Sequence, residues 1–291
     1  MIDYIRNTIQ KISLLPTFPR VVTEVMDVIE DPKSSVSDIV KHMDPSVVSE
    51  VLKVANSAYF GKGNFRRIGT LEQAVAAIGY SGLSSIVLHM PFLSMIEGGD
   101  TLFDRTAFIR HSLSVAILAK AASSMFDLGS PDRVYISGML HDIGIIIMYR
   151  YFKEEWQKIG SLMEQDRLGR LEAERSVLGA DHAVLGSILL ESWDLPETVT
   201  ESVRLHHSRD EIGEKEEPYV TWLANNLAKQ IESPSNLADF ETFFKKQRDY
   251  LQGEMPERYL LKYHVELLEI AYAHLKEVEG FLLGTPEGTH D

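Results

Sequence analysis

Five of the ten histidines in this 291-residue chain fall in apolar stretches, where an imidazole could serve as a metal ligand. His111 shares one helical stripe with Phe108 and Val115, and His141 is followed directly by Asp142 inside an apolar segment. The remaining three, on or beside the apolar stripes of later predicted helices, are His182, His206 and His207. Imidazole and carboxylate groups together are good ligands for divalent transition metals, so the pattern predicts a metal site.

A purely structural role is the alternative for each of these histidines. A single buried histidine is more often a core residue that donates a hydrogen bond to a carbonyl oxygen. His206 and His207 could also be favoured by the dipole at a helix C-terminus. Asp142 needs a partner in either case, because a carboxylate in an apolar segment must be paired or protonated. Its two oxygens could bridge two ions, and His141 and Asp142 would then serve one site.

The elements that carry these side chains are predicted to be helices throughout. Apolar residues recur at three- and four-residue spacing and alternating strand patterns are scarce, which indicates an all-α multi-helix bundle. We predict one helix from Asp104 to about Met125 and another from Asp132 to about Tyr149. Later helices are predicted at about 152–165, 168–178, 181–193, 196–207, 217–232 and 257–282.

The turn Gly98-Gly99-Asp100 is the predicted division within the chain. We expect residues 1–100 to form an N-terminal helical part and residues 101–232 a helical core with the His/Asp cluster. Residues 233–291 are expected to form a C-terminal helical extension with a frayed tail. Thr70 and Gln73 fit a capping box at a helix start, and the acidic run Glu211–Glu217 is predicted to be an exposed loop.

Composition and charge exclude several classes of protein. The chain has no cysteine, which rules out disulfides, thiolate zinc sites and iron–sulfur clusters. With 29 Lys and Arg against 43 Asp and Glu, the net charge is −14, so we expect no nucleic-acid binding. No apolar run is long enough to span a membrane and the N-terminus lacks the features of a signal peptide. We therefore expect a cytoplasmic protein without a membrane partner.

The order of these motifs resembles that of the HD superfamily of metal-dependent phosphohydrolases, and His141-Asp142 lies in its Leu-His-Asp-Ile-Gly motif. The N-terminal half resembles a narrower branch, the HDOD (HD-related output) domain. Its marks are Leu15-Pro-Thr-Phe-Pro19, Asn56-Ser-Ala-Tyr-Phe-Gly61 and Ile68-Gly-Thr-Leu-Glu-Gln-Ala-Val-Ala-Ala-Ile-Gly79. The resemblance covers about residues 14 to 232. It implies an all-helical protein of bacterial signalling, in which an HDOD half packs on an HD-like core.

Comparison with the related HD-GYP phosphodiesterases implies how the ligands would be shared. Asn225 stands where relatives carry a second aspartate, and an amide oxygen brings no charge, so one of two ions should bind more weakly. The expected cofactor is one or two divalent transition ions: Fe, Mn, Zn, Ni or Co. The resemblance implies one metal position at Asp142, His182, His206 and His207, and another at His111, His141 and the bridging Asp142.

Two departures from the phosphodiesterases bear on the activity that the resemblance implies. Ile145 replaces the lysine that follows His-Asp-Ile-Gly in active relatives, and no Gly-Tyr-Pro loop follows His207. A cationic side chain there would neutralise the substrate phosphate, and isoleucine cannot. The expectation is a signalling output or scaffold protein with a retained metal site and little or no hydrolase turnover. The alternative is a metal-dependent phosphohydrolase that acts on a nucleotide or cyclic dinucleotide.

The expected partner is a protein of a signalling pathway or a nucleotide-like small ligand. A candidate partner groove contains Asn56, Tyr59, Phe60 and Phe65, in which the three aromatic residues would be apolar anchors. The structural alternative is that Asn56 satisfies free backbone groups at a helix end, while Tyr59 and Phe60 pack inward.

Overall fold

The computed structural model of the chain describes residues 4, 7–9, 52, 68–70, 73–74 and 103–232. Every regular element in residues 103–232 is helical, which confirms the all-α fold class. None of these helices combines the length and the apolar character needed to cross a membrane. In chain order they are α1 (Arg105–Phe126), α2 (Pro131–Leu140), α3 (Ile143–Tyr151), α4 (Lys153–Gln165), α5 (Arg170–Leu178), α6 (His182–Ser192), α7 (Glu197–Leu205), α8 (Arg209–Ile212) and α9 (Glu216–Glu232).

Contacts divide the chain into two compact units. Unit 1 consists of Met1–Arg105, Gly144–Pro196 and Glu279–Asp291, and unit 2 consists of Thr106–Ile143 and Glu197–Val278. Most of α3 and all of α4, α5 and α6 belong to unit 1, while α2, α7, α8, α9 and all of α1 after Arg105 belong to unit 2. The three-part division expected from the sequence stays a prediction.

Unit 2 is built around one apolar core. Helices α2, α7 and α9 pack against one another, and their buried side chains join those of α1. Leu118 and Val134 are among the core residues that are 0% exposed. Close approach of α1 and α2 depends on Gly138, because a Cβ there would lie 2.8 Å from Cα of Ala116. This packing buries the C-terminal end of α2, which is where His141 follows.

The start of α2 is fixed by its own cap and by α9. Ser130 accepts a hydrogen bond from the backbone N–H of Arg133 at 3.5 Å, and Pro131 is the first helical residue. Glu217 accepts from the backbone N–H of Ser130 at 3.2 Å and lies 3.7 Å from the Arg133 guanidinium. The predicted exposed loop Glu211–Glu217 is therefore wrong at both ends. Glu211 and Ile212 belong to α8, with Ile212 0% exposed, while Glu216 begins α9 and Glu217 is only 8% exposed.

Unit 1 contains a backbone contact between α3 and α6. A Cβ built at Gly144 would lie 2.0 Å from the carbonyl oxygen of His182 and 2.8 Å from the amide nitrogen of Gly186. Only glycine permits this approach.

The predicted capping box is also present: Thr70 accepts from the N–H of Gln73 at 3.3 Å, and the Gln73 side chain accepts from the N–H of Gly69 at 2.8 Å.

Candidate metal centre

His141 and Asp142 form the turn between α2 and α3, so the single helix predicted from Asp132 to about Tyr149 is interrupted. The His141 ring donates from Nδ1 to the carbonyl oxygen of Gly138 at 2.7 Å. In an uninterrupted helix that carbonyl would accept from the backbone N–H of Asp142, so the side chain competes with helix continuation. The turn brings both side chains into the buried cluster, with His141 itself 0% exposed.

His206 repeats this arrangement at the end of α7. The helix ends at Leu205 rather than at about residue 207, and the His206 ring donates from Nδ1 to the carbonyl oxygen of Val203 at 2.6 Å. His206 is 0% exposed, and the ring of His207 lies 4.0 Å from it between centroids. The bond to a carbonyl is the feature that a structural histidine would show, but here it also directs Nε2 of each ring toward Asp142.

The two oxygens of Asp142 face different histidines of unit 2. Oδ2 lies 3.2 Å from Nε2 of His141 and 3.7 Å from Nε2 of His111. Oδ1 lies 3.4 Å from Nε2 of His206. The Nε2 atoms of His111 and His141 are themselves 3.2 Å apart. The carboxylate thus stands between two sets of ring nitrogens, as a bridging ligand would.

Hydrogen bonds at Nδ1 determine the protonation of two of these rings. A carbonyl oxygen only accepts, so the bonds to Gly138 and Val203 place the proton of neutral His141 and His206 on Nδ1. Burial lowers the pKa of His141 from 6.5 to about 4, although Asp142 opposes the shift, so the ring is neutral at pH 7. Its Nε2 then directs a lone pair at a carboxylate oxygen.

Lone pairs on nitrogen and oxygen repel one another unless a proton or a cation lies between them. Ligand atoms of His111, His141 and Asp142 lie within 4.8 Å of one another, and the same holds for Asp142, His206 and His207. Neutral imidazole nitrogens and a carboxylate are the ligands that Zn²⁺, Fe²⁺ or Mn²⁺ accept in proteins. This buried cluster therefore fits a divalent metal. The residues predicted from the sequence in unit 2 are brought together.

His182 is the predicted ligand that belongs to unit 1. It is the first residue of α6, is 2% exposed and donates from Nδ1 to Glu174 Oε2 at 2.7 Å. Sequence reasoning missed Glu174, because a glutamate eight residues before a histidine is not a recognisable motif. A proton on Nδ1 would leave the lone pair on Nε2, which is the tautomer that ligation through Nε2 requires. Its role as a ligand stays a prediction.

Asn225 on α9 lies beside the end of α7. Its Nδ2 donates to the carbonyl oxygen of His206 at 3.4 Å, and the residue is 1% exposed. Among the residues that the structure describes, no donor reaches its buried Oδ1. A buried acceptor without a donor costs about 1–3 kcal/mol, and a bound cation would remove that cost. The role of Asn225 as a weak or indirect ligand stays a prediction.

Ile145 lies in the first turn of α3 and is 7% exposed. The residue that follows the His-Asp-Ile-Gly motif is therefore apolar and buried in this chain. Within the unit 2 cluster, the rings of His141 and His206 are fully buried. The side chains of His111 and Asp142 are 13% and 12% exposed, and His207 is partly exposed.

The candidate groove residues Asn56, Tyr59, Phe60 and Phe65 lie outside the described part of the chain.

Comparison with known proteins places these features in a family context. The model of the HDOD domain family matches residues 15–209. An uncharacterized protein from Treponema pallidum is 26% identical over 220 residues, which are 74% of this chain and 42% of that protein. The chain thus spans less than half the length of that relative.

Two solved structures share the fold. An HDOD domain protein of unknown function from Geobacter sulfurreducens has a TM-score of 0.72 at 19% identity, covering 96% of this chain and 99% of that one. A candidate phosphohydrolase from Shewanella amazonensis has a TM-score of 0.69 at 21% identity, covering 92% of this chain and 97% of that one. At these identities, the likeness concerns the fold alone.

Proposed function

The chain belongs to the HDOD domain family, and we propose that it is a signal-transduction output or scaffold protein that binds divalent metal with little or no phosphodiester turnover. The observation that carries this proposal is the convergence of nitrogen and oxygen atoms around Asp142, which fits a metal ion. Against hydrolysis stands Ile145, because the resemblance to phosphodiesterases implies a lysine at this position and isoleucine supplies no cation.

The proposed ligands of one ion are Asp142, His182, His206 and His207, and those of the other are His111, His141 and Asp142, with Asn225 as a weak ligand. Support for including His182 comes from the backbone contact with Gly144, which stands two residues after Asp142 in the sequence. Fe, Mn, Zn, Ni and Co all suit this ligand type. When bound, such an ion would lower the pKa of a coordinated water and polarise a phosphate oxygen.

The protein's own residues give limited help to phosphodiester cleavage. Stabilising the charge that develops on a phosphate is worth on the order of 10² or more in rate, and Ile145 supplies none of it. Asn225 supplies no charge either, so a second ion would be held weakly. A nucleotide-like ligand or a protein partner would then bind at the site and transmit a signal, and the ligand would not be hydrolysed.

A turnover assay tests this proposal. The metal-loaded protein is incubated with cyclic dinucleotides, nucleotides and an aryl phosphodiester, and His141→Ala is the control for contaminating activity. We expect no turnover above the His141→Ala background, together with calorimetric binding of metal that the variant lacks. Turnover that His141→Ala abolishes would overturn the proposal.

That result would favour the second candidate, a metal-dependent phosphohydrolase acting on a nucleotide or cyclic dinucleotide. The observation in favour of it is the division of Asp142 between two histidine sets, since a bridging carboxylate is the arrangement of two-metal hydrolases. Ile145→Lys gives a second measurement. If the missing cation suppresses hydrolysis, this variant should gain aryl phosphodiester activity over the wild type.

A further inference from the structure

Glu174 is a fully buried carboxylate on α5, with a side chain that is 0% exposed. Its Oε2 accepts from the backbone N–H of His182 at 2.9 Å and from the ring Nδ1 at 2.7 Å. Nη1 of Arg170, which is 39% exposed, lies 3.7 Å from the other oxygen. Burying an ionised carboxylate is costly unless its partners compensate. Among the described residues, two of the three groups that contact Glu174 belong to His182.

The turn between α5 and α6 has supports other than Glu174, which itself accepts the backbone N–H of His182. Gly179 ends α5 in the left-handed conformation at φ +71°, which favours glycine. Asp181 caps α6 by accepting from the N–H of Val184 at 3.0 Å, and Arg175 Nε donates to Asp181 at 2.8 Å. Since a cap is already present, the contribution that distinguishes Glu174 is its bond to the imidazole ring.

We propose that Glu174 is a positioning residue for metal binding, which keeps the proton of His182 on Nδ1 and makes Nε2 a stronger ligand. Metal-ligating histidines commonly donate their other ring N–H to a carboxylate, which fixes the ring and increases its basicity. Glu174 acts through His182 and touches no ion itself. The inference rests on the proposed function, because it takes His182 to be a ligand.

Nitrogen-15 NMR of the metal-free wild-type protein gives the first test. The His182 ring signal is assigned by its loss in His182→Asn, and the spectrum is recorded at a pH where the ring is neutral. We expect the proton on Nδ1. A neutral ring with its proton on Nε2 would overturn the inference, whatever the affinity for metal.

Zn²⁺ affinity gives the second test, measured by competition with a chelating dye. Glu174→Gln keeps an oxygen acceptor of nearly the same shape and loses the charge. Glu172→Gln, an exposed position on the same helix, is the matched control. We expect Glu174→Gln to bind Zn²⁺ about 10- to 100-fold more weakly than Glu172→Gln. A merely structural role would lower the melting temperature of the metal-free protein and leave affinity unchanged.

The outcomes separate the two proposals. If wild-type protein binds Zn²⁺ and both variants bind equally well, the inference about Glu174 is wrong and the proposed function stands. If wild-type protein binds no metal, the proposed function is wrong at its premise. If Glu174→Gln fails to fold, the position of the ring proton in the wild-type protein decides.

Discussion

Replacing Gly144 by alanine should destabilise the protein, because the added methyl group meets backbone rather than a movable side chain. Its Cβ would lie 2.0 Å from the carbonyl oxygen of His182, whereas ordinary contacts begin at 3.4 Å. Relief therefore requires α3 and α6 to separate. Overpacking costs about 1–3 kcal/mol, and the higher helix propensity of alanine returns about 0.5–1 kcal/mol. Because the clash is with backbone atoms, the upper end of the overpacking cost applies, and we expect the free energy of unfolding to fall by about 2 kcal/mol.

The same substitution at Gly160 should have the opposite sign. Among the described residues, no heavy atom lies within 4 Å of a Cβ built there, in the interior of α4. Only the propensity gain of about 0.5–1 kcal/mol remains. Urea unfolding of both variants, followed by circular dichroism, measures the difference. A Gly144→Ala protein as stable as Gly160→Ala would refute the backbone contact between α3 and α6.

Three further predictions concern metal and pH. Removing bound metal with a chelator should lower the melting temperature, since an ion that binds only the folded state stabilises it; an unchanged melting curve would contradict metal binding. In the metal-free protein, the low pKa of His141 means that its full contribution to the free energy of unfolding is present only above pH 6.5. About 3 kcal/mol of that free energy should be lost as the pH falls through 4. Urea unfolding of His141→Gln, repeated across this pH range, should not show this dependence on pH. Burial raises the pKa of Tyr219 from 10 to about 12, so the free energy of unfolding should fall by about 3 kcal/mol as the pH rises between those values. The Tyr219→Phe variant should not show this fall when unfolding is measured at alkaline pH. If the variant and the wild type lose the same stability, the Tyr219 hydroxyl is not buried.

The helices and the unit 2 ligands could be predicted from the sequence because both depend on local patterns. Apolar periodicity locates α1 to within a residue at each end. The chain order of the histidines, together with Asp142, selects the cluster that the structure brings together in unit 2. These are properties of residue type and spacing, which a sequence displays directly.

What the sequence could not show depends on long-range contacts. Apart from His141 and Asp142, the segment from Met139 to Met148 has no charged or strongly polar side chain, and its apolar pattern suits one continuous helix. The turn forms because the His141 ring donates to the carbonyl oxygen of Gly138, a contact that the apolar pattern does not reveal. Glu217 is one of several acidic residues in a run. It is buried against the start of α2, where it contacts Arg133 and also Ser130, which lies 87 positions earlier in the sequence. Charge alone therefore predicted exposure.

The rings of His141 and His206 each hydrogen-bond a carbonyl oxygen in the last turn of a helix, α2 and α7 respectively. Because both nitrogens belong to one rigid ring, an ion that tilts the imidazole also pulls on the bond to Gly138 or Val203. A bound ion that reoriented these rings would therefore strengthen or weaken the last turns of α2 and α7, and amide hydrogen exchange with and without metal would measure the change.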